Sequence, residues 1–170
     1  GFAHLFEHLM FHASGNVARY EFDNYMTAIG ADYNAYTDTD VTVYHATIPA
    51  HQLPMLLWLE SDRMASLVVD EEGFETERDV VIEEFNQRYA NSPYGLAWIS
   101  AYWLPYKGYV PYERPVIGNP DDLNAATFDE VLAFHEKYYV PNNAGLAIVG
   151  DMDIAQTKAL VEAYFGDIPA

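Results

Sequence analysis

Apolar residues recur along this chain with two periods, and the switch between them lays out its elements. Residues 1–13 carry Phe2, Leu5 and Leu9 around one side of a predicted helix, and Ser14-Gly15-Asn16 breaks it. Phe22, Tyr25, Met26 and Ile29 keep helical spacing through 19–29, with Gly30 suited to the position just past the end. The period then drops to two. Residues 31–37 and 40–48 read as strands, the second alternating Val41, Val43 and His45 with Thr42, Tyr44 and Ala46 before Pro49 closes it. Leu56, Leu59, Met64 and Leu67 mark an amphipathic helix over 53–67, and a long helix is expected from Asp70 to about Tyr89, ended by Asn91-Ser92-Pro93. Residues 94–104 read as an aromatic-rich helix, and 105–120, with four prolines, as a long surface loop. Thr127 and Glu130 form a capping box for a helix over 128–138, 144–149 reads as a short apolar strand, and Asp153 caps a last helix through Tyr164 that Gly166 closes. The pattern predicts an α+β fold with helices packed on a mainly antiparallel sheet.

Bulk properties narrow this picture. The chain has 170 residues, 51% of them hydrophobic and 15% aromatic, enough for one domain with a real core and too apolar for a disordered segment. A net charge of −18 disfavours nucleic acid and anionic membrane surfaces as partners. There is no run of about 18 apolar residues to span a bilayer, and no cysteine, so disulfides and thiolate metal sites are excluded.

The candidate chemistry lies in the first helix. His4-Leu5-Phe6-Glu7-His8 is an H-x-x-E-H pattern, and positions i, i+3 and i+4 of a helix share a face, so His4, Glu7 and His8 project together. Two imidazoles one turn apart can bind one zinc ion, leaving the carboxylate between them beside the metal, where a base takes a proton from an activated water. The competing reading is an amphipathic helix with two surface histidines, but Leu-Phe-Glu-His-Leu-Met-Phe leaves little polar face besides the motif. A catalytic zinc needs a third protein ligand, and Glu77-Arg78-Asp79-Val80-Val81-Ile82-Glu83-Glu84 is the best source. On a helix Glu77, Val81, Glu84 and Arg88 form one stripe. Read alone, Glu83-Glu84 also fits a solvated acidic helix.

H-x-x-E-H followed by Glu84, 76 positions after His8, and preceded by Glu77-Arg78-Asp79-Val80-Val81-Ile82-Glu83, resembles the pitrilysin-type, inverted-motif zinc peptidases of family M16. So do Asn34-Ala35-Tyr36-Thr37, Arg114-Pro115-Val116-Ile117-Gly118, Tyr139-x-Pro141-Asn142-Asn143-Ala144, Ile148-Val149-Gly150-Asp151 and Tyr164-Phe165-Gly166-Asp167-Ile168-Pro169, so the similarity runs over essentially the whole chain. The resemblance implies one Zn²⁺ held by His4, His8 and Glu84, with Glu7 as general base and Glu77 assisting catalysis without ligating the metal. It implies a substrate strand at Asn34, Ala35, Tyr36 and Thr37, where an extended peptide adds by backbone pairing. A fully paired inner strand is the alternative there. It also implies peptide or unfolded substrates enclosed with a second homologous domain or subunit. Because the sequence opens on Gly1 directly before the motif, it is expected to be most of one catalytic domain, with strands before it and the second domain absent. An extracytoplasmic or periplasmic location is favoured.

His12, His45, His51 and His135 have no partner at metal-ligand spacing and are expected to be structural, His45 being nearest the site. Two further readings stand beside the zinc endopeptidase. A non-catalytic partner subunit of the same fold would be expected to lose motif residues, which this chain keeps. A fragment that binds zinc without turnover is the other.

Overall fold

The computed structural model describes residues 1–169. They form two compact units interleaved in sequence, one of residues 1–9, 35–43 and 70–132, the other of residues 10–34, 44–69 and 133–169. Among the described residues, eight α-helices and two small two-stranded sheets make the fold α+β, as the two periods predict, and mostly helical.

In the first unit, α1 (Phe2–Leu9) buries Leu5, Phe6 and Leu9 and packs against α4 (Glu71–Phe85). Asp70 caps α4 by accepting from the Gly73 N–H at 2.7 Å, and Glu71 and Glu72 place negative charge at its N-terminus, where the helix dipole favours it. The expected run to Tyr89 continues as a π-helical turn, Asn86–Ala90. Then α5 (Gly95–Trp103) begins against that turn, where a Cβ at Gly95 would lie 2.3 Å from the Tyr89 carbonyl, so only glycine fits. The region read as one surface loop, 105–120, holds a 3-10 turn at its start and is mostly turns. Pro120 opens an additional short helix, α6 (Pro120–Ala125), which Asn119 caps by accepting from the Asp121 N–H. Proline at the first helical position loses no hydrogen bond, which is why a proline-rich stretch can still start a helix. Gly118, at φ 89°, lets the Gly1 backbone approach so closely that a Cβ would sit 2.7 Å from its Cα. The Thr127–Glu130 capping box forms as expected before α7 (Phe128–Tyr138).

In the second unit, α2 (Glu21–Ala28) buries Phe22 and Met26, one turn apart, against Val17 and Leu59 of α3 (Leu53–Ser66). Helix α3 also packs on α8 (Ile154–Phe165), capped by Asp153 through the Gln156 N–H. The first helix was expected to reach residue 13 but ends at Leu9. Instead β1 (Ala13–Ser14) pairs antiparallel with β4 (Leu67–Val68), and Ser14 and Val17 exchange backbone hydrogen bonds. Asp62 holds this turn, accepting from Ser14 Oγ at 2.5 Å, the Asn16 N–H at 3.0 Å and Asn16 Nδ2 at 2.6 Å. These bonds outcompete one more helical turn. Burial pushes the Asp62 carboxyl up, but the donors from Ser14, Asn16 and Ser66 outweigh it and hold the carboxyl below its ordinary value. Arg63, also buried, pairs with Glu60 at 2.5 Å and lies 4.8–5.4 Å from the ring centres of Phe11, Phe22 and Tyr44.

The hairpin of β2 (Asp32–Thr37) and β3 (Thr42–Thr47) forms where the period of two predicts it. Residues 144–149 do not form the expected strand. Among the described residues no strand pairs with them, and an extended segment is a strand only when a neighbour takes its backbone hydrogen bonds.

Because Asp62 satisfies several donors at once, Asp62→Ala is expected to lower unfolding stability by about 2–4 kcal/mol, read from the denaturant midpoint. Since its carboxyl is held low, this contribution is present above the ordinary aspartate range and is lost as pH falls through the depressed value. The wild-type advantage over Asp62→Ala should therefore shrink on acidification.

Candidate metal centre

Three donor groups converge within the first unit. Helix α1 sets His4 and His8 one turn apart, with ring centres 5.1 Å apart and planes at 80°. Helix α4 brings Glu84 to both, Glu84 Oε2 lying 3.5 Å from His4 Nε2 and 3.7 Å from His8 Nε2. Each of the three offers one ligand atom, all within 4.8 Å of one another. A tetrahedral zinc with bonds of about 2.0–2.1 Å needs donor atoms about 3.3–3.4 Å apart. The two nitrogen–oxygen separations fall close to that, and imidazole and carboxylate suit zinc, so the residues fit the metal.

The surrounding groups hold the donors in orientation. His8 Nδ1 lies 3.3 Å from Glu77 Oε2, which leaves Nε2 turned toward Glu84. The hydrogen bond to Glu77 raises the His8 pKa, against the opposing effect of burial. His4 is more deeply buried, and desolvation lowers its pKa despite the nearby Glu84, favouring the neutral imidazole that can ligate a metal. His4 Nδ1 is buried with no hydrogen-bond partner. The other Glu84 oxygen, Oε1, receives Arg88 Nη1 at 2.8 Å. Glu7 projects from the same face of α1, and its Oε2 accepts from the Thr37 hydroxyl at 2.6 Å.

All five residues expected at the centre, His4, Glu7, His8, Glu77 and Glu84, lie in this one unit. Thr37 lies there too, tied to Glu7 through its side chain. Asn34, Ala35 and Tyr36 are on β2, whose neighbour in the sheet is β3. His45 is exposed on β3, and the cluster of metal-ligating groups found among the described residues does not include it. Two side-chain contacts at the site, Arg88 with Glu84 and Thr37 with Glu7, were not predicted from the sequence. Arg88 was readable, because Glu84 and Arg88 stand at i and i+4 on one helix. Nothing in a separation of 30 residues signals the bond from Thr37 to Glu7.

Comparison with known proteins finds relatives along the chain. The profile of the insulinase family, peptidase family M16, matches residues 1–94, and that of the "peptidase M16 inactive domain" matches residues 125–170. The zinc protease PqqE of Helicobacter pylori is 35% identical over 165 residues, an alignment covering 97% of this chain and 37% of that protein. The crystal structure of a protease from Helicobacter pylori superposes with a TM-score of 0.90 at 34% identity, covering 98% of this chain and 40% of that one. The periplasmic protease PqqL of Escherichia coli shares the fold, with a TM-score of 0.85 at 24% identity over 99% of this chain and 19% of its own. The chain thus spans little more than a third of the length of its curated relative PqqE. With its first 94 residues matching the family profile and its fold shared with these proteases, this chain belongs to the insulinase family, peptidase family M16.

Proposed function

We propose that this chain carries the catalytic centre of a zinc-dependent endopeptidase that hydrolyses peptides or unfolded polypeptide segments. The observation that carries the reading is the convergence of His4, His8 and Glu84 with Glu7 beside them on the same helix face. His4 Nε2, His8 Nε2 and one oxygen of Glu84 would hold one zinc ion. When bound, zinc is a Lewis acid that polarises the scissile carbonyl and lowers the pKa of a bound water from 15.7 to roughly 7. Glu7 takes the proton of the attacking water and returns it to the leaving amine, so no covalent enzyme intermediate is needed. Glu77 holds the His8 ring by its second nitrogen, and Arg88 holds the second oxygen of Glu84.

Strand β2, at Asn34, Ala35, Tyr36 and Thr37, would present backbone to an extended substrate. Enclosure of the substrate would require a second homologous domain or subunit, in keeping with relatives much longer than this chain. Among the described residues no helix is long and apolar enough to cross a membrane. The periplasmic PqqL supports an extracytoplasmic location.

Zinc content and peptide hydrolysis, measured on the full chain, test these roles. Wild type should bind one zinc, His8→Ala and Glu84→Gln should lose it, and Glu7→Gln should keep it while hydrolysis falls by about 10²–10⁴-fold. If dialysed Glu7→Gln loses zinc as completely as His8→Ala, the role given to Glu7 is wrong. Metal binding without hydrolysis in wild type would favour a zinc-binding fragment, and no metal at all a non-catalytic subunit.

Glu77→Gln should weaken zinc affinity or activity by about 10–100-fold without abolishing binding, as measured by competition with a chelating dye. Prolonged treatment with 1,10-phenanthroline should abolish hydrolysis, and reagents for serine or cysteine nucleophiles should leave it intact. Activity that survives thorough chelation rules the mechanism out.

A further inference from the structure

The Thr37 hydroxyl donates to Glu7 Oε2 at 2.6 Å and lies 3.3 Å from Thr42 Oγ1. A hydroxyl has one proton to give. Thr37 gives its proton to the carboxylate, so in the second contact Thr42 is the donor and Thr37 the acceptor. The order is therefore fixed as Thr42 to Thr37 to Glu7. Thr37 and Thr42 face each other across the tip of the β2–β3 hairpin, where the Asp38 N–H donates to the Val41 carbonyl at 2.8 Å. Both links are partly buried, which strengthens each bond and lets one polarise the next.

We propose that Thr37, backed by Thr42, is a positioning residue for the general base: it ties down Oε2 of Glu7 and so assigns Oε1 as the oxygen that receives the proton. This rests on the zinc-endopeptidase reading and adds to it a role that Thr37 plays through its side chain, separate from any pairing of its backbone with substrate. A glutamate has three side-chain torsions, and an untethered carboxylate spends much of its time turned away from the water it must deprotonate. Holding one oxygen leaves the other aimed. In the hydrolytic step, an O–H bond of water breaks as its oxygen bonds to the scissile carbon, and the proton goes to Glu7 Oε1. The same proton passes to the leaving nitrogen as the C–N bond breaks. The Thr37 proton is transferred in neither step. The hydroxyl keeps its bond to Oε2 throughout, so the base need not reorient between accepting and releasing its proton.

The test compares Thr37→Val, which keeps shape and backbone but removes the hydroxyl, with Thr37→Ser, which restores it. Three readouts are needed on the full chain: zinc content, kcat and KM for a peptide substrate, and a crystal structure of the metal-free Thr37→Val variant. The proposal expects full zinc content in both variants and kcat reduced about 10–100-fold in Thr37→Val with KM within about twofold. It expects recovery to within about threefold of wild type in Thr37→Ser, a smaller kcat loss in Thr42→Val, and a displaced or multiply oriented Glu7 carboxylate in the metal-free crystal. It is overturned if Thr37→Val keeps wild-type kcat, if its loss appears in KM (which would make the strand's substrate contact responsible), or if Thr37→Ser is as impaired as Thr37→Val. An unmoved Glu7 in the metal-free variant also overturns it. The crystallographic readout does not depend on turnover. A wild type that binds no zinc, or a Glu7→Gln variant that still hydrolyses peptide, would defeat the enzyme reading itself and is distinguishable from all of these.

Discussion

The site depends on two helices being held so that an imidazole pair on one meets a carboxylate on the other. Glu84 Oε2 stands 3.5 Å from one ring nitrogen and 3.7 Å from another, and a fraction of a turn in either helix would break that triangle. The packing that prevents such a turn is apolar. Leu5, Phe6 and Leu9 of α1 and Phe74 and Val81 of α4 are buried, and these positions interleave with the polar ones, so burying one face of each helix fixes where the other face points. Three carboxylates, Glu7, Glu77 and Glu84, crowd a pair of partly buried imidazoles. That arrangement is costly without compensating positive charge, which a divalent cation held by His4, His8 and Glu84 would supply.

Each group of the proposed mechanism has a second atom, and that atom is usually held. Glu77 holds Nδ1 of His8, Arg88 holds Oε1 of Glu84, and Thr37 holds Oε2 of Glu7. Pinning the far atom leaves the near one in a single orientation, and the entropy of ordering the side chain is lost once, on folding, instead of at each encounter with substrate. His4 departs from this pattern, since its Nδ1 is buried without a hydrogen-bond partner. Its burial favours its neutral form.

The second unit uses buried charge differently. Asp62 and Arg63 are adjacent in sequence and both buried, yet their charges are met by separate means. Asp62 is satisfied by hydroxyl, amide and backbone donors around the turn after β1, whereas Arg63 combines one carboxylate with three aromatic faces. Neither belongs to the candidate site. They show how strongly the helix-to-strand passage after Leu9 is specified.

Helical spacing alone was enough to group His4 with Glu7 and His8, and Glu77 with Glu84 and Arg88, because contacts within a helix follow from residue number. Caps at Thr127 and Asp153 were equally local and equally legible. Local signals misjudged the elements whose state is set from far along the chain. The first helix stops at Leu9 because Asp62 and β4 claim the residues beyond it, and residues 144–149 stay irregular because no strand among the described residues takes their hydrogen bonds. The same limit applied to the site. That Glu84 reaches the histidines was suggested by family likeness and not by spacing, and the bond from Thr37 to Glu7 was not suggested at all. A sequence determines which side chains share a turn or a pleat. Which of those faces meet is decided only by folding, when burial of apolar surface brings together segments that no local rule connects.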